Sequence, residues 1–401
     1  MHNKFIKYFT LLLLIVSQAI ASEPDWPYEE PYRNKLAYLH TLINYDFNAV
    51  WYNDWERNYF NGNGFLISVG SVTTHHLHYD ASLVVNEALG KGWWFRGEGR
   101  IYDSFYLSNA PKYTYMGLEK EVVFNTSLYL IVNPAYNKAY THLNMGFLLA
   151  DSSRENYLRL GLILEDFVYD EKNALDGVSD QTPRSLQWRG RYHKGKFTVF
   201  SKGRWSRGFK RRFPNRELSP LLTAHNQKYN TAEAKFYYFP QDLSILSLSY
   251  YHYKFDEMKS FSDQQYDYYY NNQFNNISLE YMIRFNQANR FRIKLNYLNQ
   301  KAESEGFNGH KFKREDIMSG LSYERFFSAH MIELQYLFAI VQTRYGTLQY
   351  LPSSVKKGFV DKIKLGWMYT FPQGSKFYIS LSHEVQGGEF GGANLFYILF
   401  F

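Results

Sequence analysis

Apolar and polar residues alternate along many short stretches of this chain. In residues 276–284, for example, Ile277, Leu279, Tyr281 and Ile283 share one set of alternate positions. The same period of two recurs in the segments 290–298, 332–340 and 363–371. Successive side chains of a β-strand point to opposite faces, so each stretch predicts a strand with one apolar and one polar face.

Applied to the whole chain, this pattern predicts about sixteen strands, with a range of roughly fourteen to eighteen. They are 78–87, 93–104, 121–132, 139–150, 157–168, 184–193, 196–206, 230–240, 243–255, 274–285, 290–299, 316–327, 330–342, 360–371, 375–385 and 391–401. Most contain the roughly 9–11 residues with which a strand crosses a bilayer at the tilt of a barrel. An all-β fold follows: a transmembrane antiparallel up-and-down β-barrel.

Connection lengths predict the orientation of this barrel. In the second half, short turns such as 286–289 alternate with long polar loops such as 207–229 and 344–359. Outer-membrane barrels keep short turns in the periplasm and longer loops outside, which places both barrel ends on the periplasmic side. The region 105–138 breaks the alternation, so either a strand near 112–116 has been missed or a small periplasmic excursion lies there.

The N-terminus has the pattern of an export signal. Lys4 and Lys7 precede an apolar run at 9–16, and Ala-Ile-Ala at 19–21 provides small residues for cleavage. This predicts a signal peptide over 1–21, because the run is too short to span a membrane. Residues 22–75 are predicted as a periplasmic lead-in or a plug of the lumen, with extra strands around 65–72 as an alternative. The barrel itself is assigned to 76–401.

Composition narrows the class further. The chain has no Cys, which excludes disulfides and thiolate metal sites, and its formal charge of +7 is too small to indicate nucleic-acid binding. Aromatic residues make up 19% of the chain although its mean hydropathy is −0.45. Apolar and polar residues are therefore finely interleaved, as in a barrel in which only alternate residues contact lipid.

The last eleven residues, GGANLFYILFF, have strand length, are almost wholly apolar and end on an aromatic residue. Over residues 74–401 the chain resembles bacterial outer-membrane β-barrel proteins of the porin-like class. The resemblance implies a place in the outer membrane of a Gram-negative bacterium, in contact with its lipid. It also implies that the barrel assembly machinery recognises Tyr397, Leu399 and Phe401. This closing strand is predicted to pair with the strand near 78–86.

Basic residues dominate the polar faces of the predicted strands, which would line a lumen. The set comprises Arg96, Arg100, Arg189, Arg191, Lys202, Arg204, Arg290, Arg292, Lys294, Lys362 and Lys364, with fewer carboxylates at Glu98, Glu165, Glu280, Glu324, Glu333 and Glu384. Fixed positive charge in a pore favours anions. Alternatively, these side chains pair with carboxylates on neighbouring strands and only fill the interior.

Catalytic chemistry is not indicated. No convergent catalytic triad or metal motif is formed by the three candidate groups. These are His75, His76 and His78, the segment 328–330 (Ser-Ala-His) and the segment 382–384 (Ser-His-Glu). We therefore expect no catalytic residues, metal or cofactor.

The favoured function is passive passage of small, preferably anionic solutes. The alternative is a structural or export barrel that sheathes or docks a periplasmic protein, a polysaccharide or an electron-carrying cytochrome; an outer-membrane hydrolase is a weaker third. A periplasmic or cell-surface protein partner is left open, and nothing in the sequence fixes the oligomeric state. The tyrosines at 266 and 268–270 suit an outer loop that stacks on sugars or binds a surface partner, and equally a rim element of the aromatic girdle or the start of the next strand.

Overall fold

The computed structural model describes residues 64–73, 76–104, 112–134, 140–152, 156–169, 178–179, 184–207, 209–212, 222–240, 244–261, 268–305, 310–345, 358–388 and 390–400 of the chain. None of these residues belongs to a helix long and apolar enough to cross a membrane.

The described residues form one sheet of 20 strands. They are β1 (Gly64–Thr73), β2 (His76–Gly90), β3 (Trp93–Ser104), β4 (Lys112–Val123), β5 (Thr126–Pro134), β6 (Tyr140–Ala150), β7 (Tyr157–Tyr169), β8 (Val178–Ser179), β9 (Arg184–Lys194), β10 (Phe197–Ser206), β11 (Phe209–Arg212), β12 (Leu222–Tyr238), β13 (Ser244–Phe261), β14 (Tyr268–Asn286), β15 (Asn289–Glu305), β16 (His310–Phe327), β17 (His330–Tyr345), β18 (Gly358–Thr370), β19 (Lys376–Glu384) and β20 (Phe390–Phe400). The short strands β8 and β11 pair with each other within two of the connections.

The other 18 strands are antiparallel and pair in chain order. The last strand returns to the first, because β20 pairs with β1 from Gly64↔Phe400 to Ser71↔Ala393. The order of paired strands is therefore circular, as in an up-and-down barrel. The even number places residues 64 and 400 at the same end of the barrel, together with the short turns. The fold class predicted from the alternation is confirmed.

The structure corrects the start of the barrel. The sheet begins at Gly64, not near residue 76, and β1 lies between β2 and β20. The predicted pairing of the closing strand with 78–86 is therefore wrong, and the alternative of an extra strand around 65–72 is confirmed. The predicted signal peptide and the rest of the predicted lead-in or plug, up to residue 63, lie outside the described residues and remain predictions.

The prediction also missed a strand in the region 105–138, namely β4. Residues 121–132, predicted as one strand, contain the end of β4, a turn at Phe124 and Asn125, and the start of β5. Asn125 has φ 63°, a left-handed conformation that Asn tolerates better than most residues. With β4 in place, the longest connections, 170–183, 207–221 and 346–357, all lie at one end of the ring, whereas β1 and β2 are joined at that end by only two residues, 74–75.

The outward face of the sheet is apolar in aligned rows. One row runs across β13 to β17 through Tyr250, Ile277, Tyr297, Ile317 and Ile340. These five side chains are 40–53% exposed, and apolar neighbours such as Leu365, at 57%, extend the surface. The opposite face carries polar side chains, including Glu333 at 1% exposure. Such a continuous exposed apolar surface is matched by a hydrocarbon environment rather than by water.

Strand lengths differ around the ring. The strands β12 to β17 contain between 16 and 19 residues, whereas β5 and β19 contain 9. At about 3.3 Å per residue, the longer strands continue well past the apolar band on the long-loop side. Tyr268–Tyr270 belong to one of them, β14, so the strand-start alternative for these tyrosines is confirmed, while Tyr266 lies outside the described residues.

Candidate functional site: the inner wall

The inner wall consists of the side chains at alternate strand positions opposite the apolar rows. Most of its described charges lie within about six residues of the short-turn end. Arg290 faces Glu324 across β15 and β16, and Arg189 faces Lys202 across β9 and β10. Basic side chains outnumber carboxylates on this wall.

Two arginines of β15 share one carboxylate. Arg290 pairs with Glu324 through both Nε and Nη2, and Arg292 Nη2 lies 3.0 Å from the other oxygen of Glu324. Arg292 Nε is 3.2 Å from Glu280 on β14. The Glu324 side chain is only 3% exposed. This arrangement joins β14, β15 and β16 into one charged network packed against the wall.

A second network links β16 to β19 around Glu333. Its carboxylate accepts hydrogen bonds from Tyr378 Oη at 2.7 Å and Ser322 Oγ at 3.1 Å, and Lys364 Nζ lies 3.6 Å away. Tyr378 reaches Glu333 by passing over Gly366 of the intervening strand β18, whose missing side chain leaves the necessary space. The carboxylate is fully buried and fully partnered, as a stable buried charge requires.

Lys362 lies two residues beyond Lys364 on β18, further from the short-turn end. Its Nζ donates to the carbonyl oxygen of Gly391 at 2.8 Å and lies 3.7 Å from Glu384. It therefore ties β18 to β19 and to β20, rather than projecting freely into the lumen.

The third group surrounds Phe200 on β10. Lys202 and Lys235 share Glu233 at 2.9 and 2.7 Å, and both ammonium groups lie within 5.9 Å of the Phe200 ring centroid. The Arg189 guanidinium is 5.6 Å from the same centroid. Among the cations in these three groups that pair with carboxylates, Lys202 has the most exposed side chain, at 39%. We call Arg189, Lys202 and Lys235 the Phe200 cluster.

The remaining predicted basic residues lie on the strands expected for them. Arg191, Arg204 and Lys294 are half-buried on β9, β10 and β15. Arg96 and Arg100 lie on β3, opposite Asn86 and Ser82 of β2; their side chains, like those of Glu98 and Glu165, are outside the described set. The structure thus brings six of the eleven predicted basic residues together in three groups, and five of these six, Lys202, Arg290, Arg292, Lys362 and Lys364, pair with carboxylates.

Several wall residues were missed by the sequence analysis. Glu233 and Lys235 alternate with Ala234 and Phe236 along β12, so the period-two pattern contained the signal for them. Tyr378 carried no such signal, because tyrosine suits either face of a barrel strand. Its role depends on Gly366, which lies opposite Glu333 on the strand between β17 and β19, and only the register reveals this placement.

Aromatic rings border the short-turn end of the outward face. His330 stacks at 5.5 Å on Phe327 and lies 5.1 Å from Tyr369. Phe371 in turn contacts Tyr369 at 4.8 Å and Tyr397 of the closing strand at 6.1 Å, edge to face. Such belts are typical of the water–lipid interface of membrane barrels. Of the predicted assembly signal, Tyr397 and Leu399 lie in β20, and Phe401 is outside the described residues.

Circular antiparallel pairing, an outward apolar surface bordered by aromatics and a polar inner wall define the class of the protein. This is the architecture of a transmembrane up-and-down β-barrel, which belongs to the outer membrane of Gram-negative bacteria.

Comparison with known proteins adds distant structural likenesses. No family model matches the chain, and no curated protein matches it. Among solved structures, it is similar to OccK5 (OpdH) of Pseudomonas aeruginosa, with 10% identity, 84% of this chain and 96% of that chain covered and a TM-score of 0.40. It is also similar to a loop L8 deletion mutant of OmpT, an outer membrane protein of Vibrio cholerae, with 10% identity, 84% and 99% coverage and a TM-score of 0.40. A mutant of Rh. blastica porin matches with 12% identity, 85% and 99% coverage and a TM-score of 0.34. Proteins this dissimilar do not identify the solute of this chain.

Proposed function

We propose that this protein is a channel for the passive passage of small solutes across the outer membrane, with a preference for anions. The observation that carries the preference is the Phe200 cluster. Arg189 and Lys202 stand directly opposite each other, and Lys202 shares the carboxylate of Glu233 with Lys235.

This arrangement favours a negative solute for an electrostatic reason. Like charges directly opposite one another destabilise a pair of strands, and a passing anion offsets that repulsion. The three residues lie on a wall where cations outnumber carboxylates, and rings of fixed positive charge favour anions in a pore. The groups on β15 and β18 contribute less, since their charges are paired and buried.

The placement of the Ser and His residues considered as catalytic candidates also supports a non-enzymatic function. The His330 ring is packed between aromatic residues, and Ser382 Oγ donates to the Gly392 carbonyl oxygen at 3.1 Å. His383 lies on the opposite face of β19 from Ser382, so the two do not converge.

We further infer that the barrel assembly machinery recognises the closing strand through Tyr397, Leu399 and Phe401.

Planar-bilayer recording of the purified full chain tests the proposed function. We expect a steady conductance and, in a potassium chloride gradient, a reversal potential displaced toward that of chloride. Replacing Lys202 with Glu should move the reversal potential toward that of potassium, because it reverses one charge of the Phe200 cluster.

The matched control is Lys194→Glu, which makes the same charge change on the exposed rim of the neighbouring strand β9. It should leave selectivity close to that of the wild type. Absence of conductance from folded protein would reject the channel and favour a barrel that sheathes a partner. Conductance with equal selectivity in wild type and Lys202→Glu would reject the anion preference alone.

A further inference from the structure

The outward face changes character at one level across five strands. Immediately beyond the last apolar row, the register positions are held by His252, Asn275, Asn299, Glu315 and Gln342. His252 Nδ1 lies 2.8 Å from Asn275 Oδ1, and Asn299 Nδ2 donates to Glu315 at 3.1 Å. Polar side chains that bond to one another along a row mark the outer boundary of the apolar band.

The next row outward is basic. Lys254, Gln273, Lys301, Lys313 and Arg344 hold successive register positions on β13 to β17. We call Lys254, Lys301 and Lys313 the basic row. Lys254 and Lys313 are 40% and 41% exposed, and Lys301 is exposed as well. The basic row lies four positions further along each strand than the last apolar row, which is about 10 Å along the membrane normal at barrel tilt.

The basic row places like charges side by side. Lys301 lies directly opposite Lys313, and Lys313 directly opposite Arg344. Lys313 and Lys254 contact carboxylates two residues away on their own strands, at 2.9 and 3.7 Å. Within the described part of the chain, Lys301 makes no ion pair. Opposed like charges destabilise a pair of strands, and an anion bound between them relieves the repulsion.

We propose that the basic row binds phosphate groups of the lipid in the outer leaflet. The proposal rests on the proposed placement of this barrel in the outer membrane, because only that placement puts the row at the level of the lipid headgroups. Lysine binds phosphate as a flexible point charge, and its long side chain reaches from the row down to the headgroup level. Glu315 and Asp256 orient two of the lysines without burying them.

The test measures binding of lipopolysaccharide to the full chain in detergent, using intact and chemically dephosphorylated preparations. The double variant Lys301→Gln with Lys313→Gln removes the two opposed lysines. It should weaken binding of the intact lipid by about 10- to 30-fold, as expected from two lysines close to an anionic surface. Dephosphorylated lipid should bind weakly, and equally, to wild type and variant. The loss should shrink at high ionic strength.

The matched control is Lys194→Gln with Lys196→Gln, which removes the same charge from the exposed rim at the opposite end. Its affinity for intact lipid should equal that of the wild type. Equal affinity in the Lys301 and Lys313 double variant, or equal binding of dephosphorylated lipid by the wild type, would overturn the proposal. Displacement of the lipid by millimolar inorganic phosphate would instead assign the row to free phosphate. Conductance of the double variant, recorded in parallel, should be unchanged, so a failure here is distinct from a failure of the channel function.

Discussion

Replacing Gly366 with Ala should destabilise the barrel far more than an ordinary substitution of glycine in a strand. The added Cβ would lie 2.2 Å from Tyr378 Oη and 2.7 Å from Cζ of the same ring. Tyr378 cannot move aside easily, because it is fully buried and stacked on Phe396 with a centroid distance of 5.0 Å. Any displacement also breaks its 2.7 Å hydrogen bond to Glu333.

The expected loss follows from these two effects. Overpacking a well-packed site costs about 1–3 kcal/mol. Loss of a hydrogen bond to a charged group adds roughly 1.5–3 kcal/mol, since the buried Oε2 of Glu333 then keeps only the more distant Lys364 Nζ, at 3.6 Å. We therefore expect the Ala variant to lower the free energy of unfolding by about 2.5–6 kcal/mol. The measurement is a reversible urea titration of the folded protein in lipid vesicles.

Gly190→Ala provides the control, because this strand glycine has no atom closer than 3.4 Å to the added Cβ, at Leu158 Cδ1. It should change the free energy of unfolding by less than about 1 kcal/mol. Tyr378→Phe combined with Gly366→Ala should cost less than the sum of the two single changes, since both disrupt the same contact. If Gly366→Ala and Gly190→Ala proved equally stable, the proposed passage of Tyr378 over Gly366 would be refuted.

Two further substitutions probe other parts of the wall and surface. Glu324→Gln leaves Arg290 and Arg292 with no shared carboxylate, so the free energy of unfolding should fall by about 3–5 kcal/mol in the same titration. A loss below about 1 kcal/mol would show that water replaces the carboxylate there. Trp188→Phe removes the hydrogen bond that Trp188 Nε1 donates to Ser201 Oγ at 3.1 Å, and should cost about 1 kcal/mol. Ser201→Ala should match it, and two clearly different values would contradict this pairing.

The strands of the second half of the barrel were predictable because their alternation is regular and their turns are short. In β14 and β15, every apolar position assigned to one face between 277 and 297 lies on the outward face. Burial of one face against hydrocarbon fixes the register of such strands, since a slip by one residue would turn every side chain to the wrong side.

The prediction for the region 105–138 was wrong for a local reason. Asn125, Thr126 and Ser127 interrupt the apolar residues between Val122 and Val132, but the turn at Asn125 lacks the glycine that usually marks a hairpin, so the reversal was missed. The first strand was likewise uncertain, since β1 contains glycine and serine at several positions where other strands carry charges.

The basic inner positions were predictable from the period of two, but their partners were not. Glu324 was recognised as an inward carboxylate, yet its sharing by Arg290 and Arg292 depends on the register of β15 against β16. The same holds for the basic row, in which Lys301 and Lys313 are adjacent in space but separated by a loop in sequence. Sequence alternation assigns a face; only strand pairing assigns neighbours.

The pairing of β1 with β20 has a consequence for the order of assembly. In the described ring, all the remaining pairs of neighbouring strands are also joined by a connecting segment of the chain. Only the hydrogen-bonded ladder holds β1 against β20. Its two strands come from opposite ends of the chain, so closing it carries the largest loop-closure entropy of any strand pair. We therefore expect the β1–β20 pair to form last and to be the first at which two neighbouring strands separate. The final residues then determine when the barrel closes, in addition to forming one of its strands.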